Sequence, residues 1–354
     1  MTTIESNVPV PEANKKAAKR GRKIKEKNNG AAGLLKSLQF VALAQRSAGV
    51  AYQTHCLMNN RWLVAADGVL TMGCRIEEDI SACPKTDYLL SALQKCGEQV
   101  AIAQLNEFTL SIKSGGFKAT IPCVDFTAIH ATAPDPLATA ASDDLRAGFE
   151  SLAWLIREGE ERAHMASLLL QSETMVGTNG HVLLERWHGL NLPQAVLIPK
   201  AAVTALSKIA KPLTGYGCSN NSATFYFEDG SFLKTQLFDA RYPNYQSIFQ
   251  DFVNQAPTHL PANFLEGIKA VQDFCTNKLV VLCGDKIQSN LDPDIGASFA
   301  LDGIPNDICF NYEYLNGVAA HFQNTIFLKD RVSFHNNTTK TRGCVMAAVW
   351  NKDE

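Results

Sequence analysis

The sequence predicts an α+β protein of three tandem units, each with two helices backed by antiparallel sheet. Two observations carry that prediction. Amphipathic helical segments recur at nearly equal spacing, and strand-like runs punctuated by turn residues follow each of them. The segments "TDYLLSALQKCG", "PKAAVTALSKIA" and "NYEYLNGVAAHF" begin at Thr86, Pro199 and Asn311, 113 and 112 residues apart. Self-similarity at a fixed period marks a repeated structural unit. At 354 residues the chain is also too long for one ordinary core, and units of roughly 100–120 residues are of usual domain size.

Each element has its own local justification. Residues 1–30 include "EANKKAAKRGRKIKEKNNG", have no aromatic residue and no apolar periodicity, and are expected to form a disordered basic tail. The first unit, residues 31–137, opens with the helical pattern "GLLKSLQFVALAQR". It passes through short strands in "RWLVAADGVLTMGCRIE", reaches the Thr86 helix and closes with the hairpins of "QVAIAQLNEFTLSIKSGGFKATIPCV". The second, 138–256, repeats this order. Its opening helix "SDDLRAGFESLAWLI" has Ser142 as the expected N-cap and Asp143 and Asp144 in the first turn. Strands in "SETMVGTNGHVLLERW", the Pro199 helix and the hairpin "ATFYFEDGSFLKTQLF" follow. The third, 257–354, runs from "PANFLEGIKAVQDF" through "NKLVVLCGDKIQSN" and the Asn311 helix to "NTIFLKDRVSFHNNTTKTRGCVMAAVW". Two stretches mixing Pro with small or polar residues, "ATAPDPLATAASDD" and "FQDFVNQAPTHLP", read as linkers.

The segment "VGTNGHVLLE" sets an Asn179-Gly180 turn between apolar residues, a hairpin signal. Its counterpart in the first unit is "VAADGVLTMG", with Asp67-Gly68 in the same place, and a looser version surrounds Gly284-Asp285. The turn therefore belongs to the repeating scaffold. What is particular to the second copy is His181-Val182-Leu183.

Composition excludes several classes of function. The ten cysteines form no C-x-x-C pair, so no zinc ribbon or dithiol motif is present. Most lie in apolar runs, such as Cys123 and Cys283, and read as reduced core thiols. The histidines show no H-E-x-x-H spacing, and there is no G-x-S-x-G elbow and no phosphate-cradling P-loop. Neither "RIEEDI" nor "IREGEER" adjoins a nucleophile, so both read as solvated acidic surface. No catalytic residue, metal or cofactor is expected. No apolar run approaches the ~20 residues of a membrane span, and a cytoplasmic protein is expected. The net charge of −2 hides an asymmetry: residues 1–30 carry eight Lys/Arg and three Glu, leaving 25 basic and 32 acidic residues in the remainder. Any contact of that body with nucleic acid must use a local basic surface.

Four motifs, in register with the triplication, resemble a known family. "GTNGHVLLE" is similar to the A-T-D-G-H-R-L segment of the bacterial sliding clamp, the DNA polymerase III beta subunit family. "ARYPNYQSIF" resembles its F-P-D-Y-x-x-(V/I) segment, "FNYEYLNGVAAHF" its F-N-x-x-Y-L helix, and "GCVMAAVW" its terminal V-V-M-P-M-R-L strand. The likeness spans about residues 33–350. Asn179 stands where Asp is usual, Val182 replaces Arg, Ala347 replaces Pro and the basic tail is extra. These departures suggest a divergent clamp of the kind a bacteriophage encodes.

The resemblance implies clamp-type domains that assemble into a closed ring: a head-to-tail homodimer, with paired helices lining a hole around double-stranded DNA. Its implied function is that of a polymerase processivity factor, bound without regard to sequence. Lysines and arginines on the helices would face the channel: Lys36 with Arg46, Lys95, Arg146 with Arg157, then Lys200, Lys208 and Lys211 along one face of the Pro199 helix. The third unit offers only Lys269, between Glu266 and Asp273. The resemblance also implies an apolar cleft between domains two and three. It would take short peptides of the polymerase and the clamp loader. Carried over by motif, the cleft comprises Thr178, Gly180, His181, Val182, Leu183, Pro243, Ser247 and Ile248, with Val345, Met346, Ala347, Ala348 and Trp350. Met165 and Val332 are added to it. The alternative from the residues alone is a triplicated peptide-binding adaptor that never encircles DNA.

Overall fold

The computed structural model describes residues 31–250, 255–257, 259–292 and 294–349. The expected tail, part of the second linker and Trp350 lie outside them. By backbone contacts the chain forms two compact units. One is the described part of Met1–Glu150 with Ala201–Phe238, the other Ser151–Lys200 with the described part of Asp239–Glu354. Both are α+β with antiparallel sheets. No helix among the described residues is long and apolar enough to cross a membrane.

In the first unit a seven-stranded sheet runs in the order Leu57–Asn59, Trp62–Ala66, Leu70–Arg75, Phe232–Gln236, Ser222–Phe227, Leu213–Cys218, Leu137–Ala140. Three strands come from the first repeat and three from the second. They meet where Gly73 pairs with Phe232 and Thr71 with Lys234. Glycine is required there, because a Cβ on Gly73 would lie 2.4 Å from the Phe232 ring. A four-stranded sheet, Cys83–Pro84, Phe117–Val124, Thr109–Ser114 and Ala101–Asn106, completes the strands among this unit's described residues. Helices Ala31–Val41, Thr86–Leu93 and Asp143–Leu152 bury one apolar stripe each. The core is aromatic, with Phe149 edge-on to Phe225 at 5.3 Å and Phe40 edge-on to Phe227 at 5.6 Å.

The second unit repeats the plan. Its seven-stranded sheet runs Val196–Pro199, Ser167–Leu170, Thr174–Thr178, Val182–Trp187, Thr341–Met346, Arg331–Asn336, Asn324–Phe327. Here the second repeat meets the third, Val182 pairing with Val345 and Arg186 with Thr341. Again a glycine admits the approach: a Cβ on Gly343 would sit 2.5 Å from the Leu183 carbonyl and from Leu184 Cδ2. A four-stranded sheet follows in the order Ser298–Ala300, Lys286–Gln288, Leu279–Cys283, Asn306–Asn311. Helices Phe264–Val271 and Tyr312–Val318 pack in this unit, the latter capped by Asn311, which accepts from the Glu313 amide at 2.9 Å.

Three local expectations are corrected. Ser142 does precede its helix, but its buried hydroxyl has no hydrogen-bond partner, so it is not a side-chain cap. The helical patterns ending at Arg46 and Ile156 tighten into 3-10 turns, Ala42–Ala44 and Ala153–Leu155, before their ends. And the stretch read as the first linker adds a strand, Leu137–Ala140, to the sheet edge.

A buried network fixes that linker. Asp135, 5% exposed, accepts from Ser222 Oγ at 2.8 Å, Thr224 Oγ1 at 2.9 Å and Lys234 Nζ at 3.3 Å. Lys234 also donates to the Ala133 carbonyl at 2.7 Å, and Tyr226 donates to the Asp135 carbonyl. Truncating one partner of a buried ion pair leaves the other charge uncompensated. Asp135→Ala should therefore lower the unfolding free energy by about 3 kcal/mol in urea titration, and Asp135→Asn by less. A loss below about 1 kcal/mol, the scale of an exposed pair, would mean that solvent replaces the carboxylate.

Candidate functional site

The candidate site is built on the strand pair Val182–Trp187 and Thr341–Met346. Side chains alternate across a sheet, and the register assigns them to two faces. Val182, Val345 and Val332 share one face and are 1%, 0% and 0% exposed. The other face carries Leu183, Cys344, Glu185, Arg342 and the half-buried Met346. Val182, Val332 and Val345, expected in the cleft wall, are thus core residues. Cys344, one residue along, lies on the opposite face.

On that second face Leu169, Val176, Leu183, Leu197, Tyr245, Phe249 and Cys344 form one apolar cluster, with Tyr242, Ile248 and Met346 packed against it. The segment from Tyr242 to the 3-10 turn Gln246–Gln250 supplies its cover, leaving Pro243 and Ser247 exposed and Ile248 half-buried. Buried Glu185 anchors the cover. Its carboxylate accepts from Tyr245 OH at 2.8 Å, from Thr174 Oγ1 at 3.1 Å and from Arg342 Nε. Burial, reinforced by the hydrogen bond to Glu185, pushes the Tyr245 hydroxyl well above the ordinary tyrosine range, so it remains a donor. The Arg342 guanidinium lies 4.3 Å over the Phe249 ring.

The turn at the end of this pair is held by Asn179. Its Oδ1 accepts from the His181 and Val182 amides at 3.0 and 2.8 Å, while Gly180 takes φ +89°. Asp67 does the same in the first repeat, accepting from Val69 and Leu70 at 2.9 and 2.8 Å, with Gly68 at φ +97°. Thr178 Oγ1 donates to the Val182 carbonyl at 2.8 Å, and Met165, 1% exposed, lies beneath Gly180. The turn delivers His181 to the surface, where its ring stacks on Tyr314 at 5.5 Å and 17°. The Met346 amide donates to the His181 carbonyl at 2.8 Å, and Ala347 and Ala348 bond Asp330 and Cys309. Of the expected cleft residues, Thr178, Gly180, His181, Leu183, Ile248, Met346, Ala347 and Ala348 remain at or beside the accessible part of this face. Trp350 lies outside the described residues. Tyr314, Tyr242 and Tyr245 were missed, although "FNYEYL" and "ARYPNY" contain them.

All ten cysteines are free, and burial pushes the Cys56 and Cys309 thiols up to about 12. At neutral pH such groups are packing atoms, not nucleophiles.

The basic residues divide into two kinds. Lys36, Lys95, Lys208 and Lys269 are exposed. Exposed Arg46 lies beyond its helix, 3.8 Å from Asp67. Half-buried Arg146 pairs with Glu150 at 2.5 Å. Arg157 falls after the helix that was expected to carry it, its amide bonded to Met165. Two of the expected channel cations have local partners. The Lys200 ammonium donates to the Ala153 carbonyl at 2.7 Å, and burial lowers its pKa. Lys211 lies beyond the helix Lys200–Lys208, bonded to Asp229 at 2.5 Å and seated 4.0 Å over Phe40.

If the turn is set by its acceptor and not by amide identity, Asn179→Asp should leave the melting temperature nearly unchanged. Asn179→Ala orphans two amides and should cost about 1–3 kcal/mol. Equal losses in the two variants, by thermal and urea unfolding, would assign the effect to something other than Oδ1.

No protein-family model and no curated protein matches the chain. Solved structures do. The DNA polymerase III subunit beta of Pseudomonas aeruginosa superposes with a TM-score of 0.76 at 17% identity, over 91% of this chain and 99% of that one. The DNA polymerase sliding clamp of Bacillus subtilis gives 0.75 at 16%, over 91% and 98%. The Helicobacter pylori beta clamp, solved with a DNA ligase peptide, gives 0.74 at 14%, over 91% and 99%. Over nearly its whole described length, this chain has the fold of the bacterial DNA polymerase III beta sliding clamps.

Proposed function

We propose that this chain is a sliding clamp: two copies close head to tail around duplex DNA and tether replication partners through the apolar face ending at His181 and Met346. One observation carries the reading. The strands Leu70–Arg75 and Val182–Trp187 hold equivalent places in successive repeats, and each pairs with the last strand of the following repeat, Phe232–Gln236 or Thr341–Met346. The third equivalent, Ser298–Ala300, stands at the edge of its sheet. The remaining last strand, Phe117–Val124, is met on its outer side only at its end, from Pro122 to Val124, among the described residues. One donor edge and one acceptor edge are left over per chain. Two copies satisfy both with a heterologous contact that closes after two steps.

Encirclement asks little of the DNA surface. Phosphate contacts position a protein without specifying sequence, and exposed, loosely held cations suit that role. Lys36, Lys95, Lys208 and Lys269 are the channel residues proposed here, with Arg46 weakened by Asp67. Peptide capture is supported by exposed His181 stacked on half-buried Tyr314 beside Met346, an aromatic and thioether surface suited to an apolar anchor. It is supported further by the Helicobacter pylori clamp that holds a ligase peptide.

Loading onto nicked circular plasmid tests encirclement. The protein should stay on the circle at high salt and run off once the plasmid is linearised, whereas an electrostatic binder would leave both alike. A solution mass of one chain at micromolar concentration would favour the non-encircling adaptor. Each of Lys36, Lys95 and Lys208 replaced by Ala should lower the salt slope of DNA binding by about one. Met346→Ala should weaken an apolar docking peptide about ten-fold without changing DNA retention.

A further inference from the structure

We propose that a second groove, beside the apolar face and built on Trp187, Lys340 and Arg342, takes an acidic peptide segment from the same partner whose apolar segment docks near Met346. The proposal rests on the docking reading above. The groove has a volume of about 730 Å³, and its lining includes Phe249, Trp187, Glu185, Lys340, Arg342 and the strand end at His335–Asn337.

Its exposed charge is positive. Among the described residues Glu185 is the only acid in the lining, is 5% exposed, and is engaged by Tyr245, Thr174 and Arg342. The exposed charged side chains are Lys340 and Arg342, the latter paired with Glu185 through Nε. Both are steered by aromatic rings: Lys340 Nζ lies 4.7 Å over Trp187, and the Arg342 guanidinium 4.3 Å over Phe249. Trp187 remains 42% exposed, a large apolar surface between the two cations. The Trp187 amide donates to the Lys340 carbonyl at 2.9 Å, which fixes the two side chains side by side. Lys340 holds φ +52° in its turn, a conformation that glycine or asparagine would adopt at lower cost. The chain accepts that cost and keeps a cation there.

Continuity argues for a peptide. The Phe249 ring belongs both to the apolar cluster and to the groove wall. Leu183 and Trp187 lie four residues apart along one strand, about 13 Å at strand rise, so a linker of about four to six extended residues reaches from one to the other. The groove also opens on the sheet face opposite the helical elements. Leu152, Leu155 and Ile156 pack against Gly177 on the other face, and the helices are the elements assigned above to DNA. A carboxylate here would meet Lys340 and Arg342 while the aliphatic part of its side chain or a neighbour covers Trp187.

Four synthetic probes test this by fluorescence anisotropy on the full chain. They are an apolar docking peptide, the same peptide with an Asp/Glu extension, the same with an Asn/Gln extension, and the acidic extension alone. The acidic extension should tighten binding about two- to five-fold over the amide extension at low salt and lose that gain at high salt. Lys340→Glu and Trp187→Ala should each abolish the gain and leave the apolar peptide unchanged. Equal binding of the acidic and amide extensions, or a gain that survives Lys340→Glu, overturns the proposal. If the apolar peptide itself fails to bind, the docking reading falls. The groove is then judged by the acidic extension alone: weaker binding to Lys340→Glu than to the unsubstituted chain supports it, and equal binding sinks it. Stronger competition by an oligothymidine than by the acidic probe would assign the groove to nucleic acid and overturn the peptide.

Discussion

Both compact units depend on backbone pairing between the last strand of one repeat and the third strand of the repeat before it. A sheet edge is a row of unpaired amides and carbonyls that must be covered, paired or blocked. This chain pairs it twice, at Gly73/Phe232 and at Leu184/Gly343. In both places the closest approach is made possible by a missing side chain: the Phe232 ring occupies the space of a Cβ on Gly73, and Leu184 that of a Cβ on Gly343. The compact units therefore follow the sheets and cut across the second repeat, since the strongest ties run between repeats.

Pairing at the second junction also decides what the surface can do. Once Val182 is opposite Val345, alternation sends Leu183, Glu185 and Trp187 to the face shared with Cys344, Arg342 and Met346. That face is only partly covered, by a short aromatic segment held down through Tyr245 and Glu185. An acid buried in a sheet face is costly unless its oxygens are engaged, and here three donors engage them. The cluster ends in accessible groups on either side, exposed His181 with half-buried Met346 at one end and exposed Trp187 with Lys340 at the other. A single ladder thus presents both surfaces proposed to take a partner.

The sequence made the repeat, the helix and strand types and the Asx turns legible, because each is written in local periodicity or in one residue's chemistry. Asp67 and Asn179 were matched from their neighbours alone, and their hydrogen bonds agree atom for atom. What was illegible is set by distant partners. Val345, expected in the cleft wall, lies on the core face because a motif fixes a strand but not its parity, and a slip of one residue reverses the face. Lys211 looked like a helix-face cation, and nothing local reveals that Asp229 and Phe40 wait for it. The linker "PDPLATA" has the composition of a connection, yet Asp135 is drawn to Ser222, Thr224 and Lys234, nearly 90 residues or more along the chain, and the next residues then pair as an edge strand. Tyr314 was within reach, since it occupies the tyrosine of the recognised helix motif, but its role depends on His181 coming to stack on it.

The fate of the lysines separates two uses of the same residue type. Lys200, Lys211 and Lys234 are held by carbonyls, a carboxylate or a ring, with burial that lowers the Lys200 pKa. They fix loops and helix ends. Lys36, Lys95, Lys208 and Lys269 stand on exposed positions at the ends or outer faces of helices whose other side is core. A surface over which DNA must move needs attraction that does not depend on one geometry, because a fixed bidentate contact would create a preferred register and a barrier to sliding. Long, solvated lysines on helix faces satisfy that condition. On the clamp reading, the net acidity of residues 31–354 is then no obstacle: the polyanion meets only a sparse inner set of cations, and retention comes from topology and not from affinity.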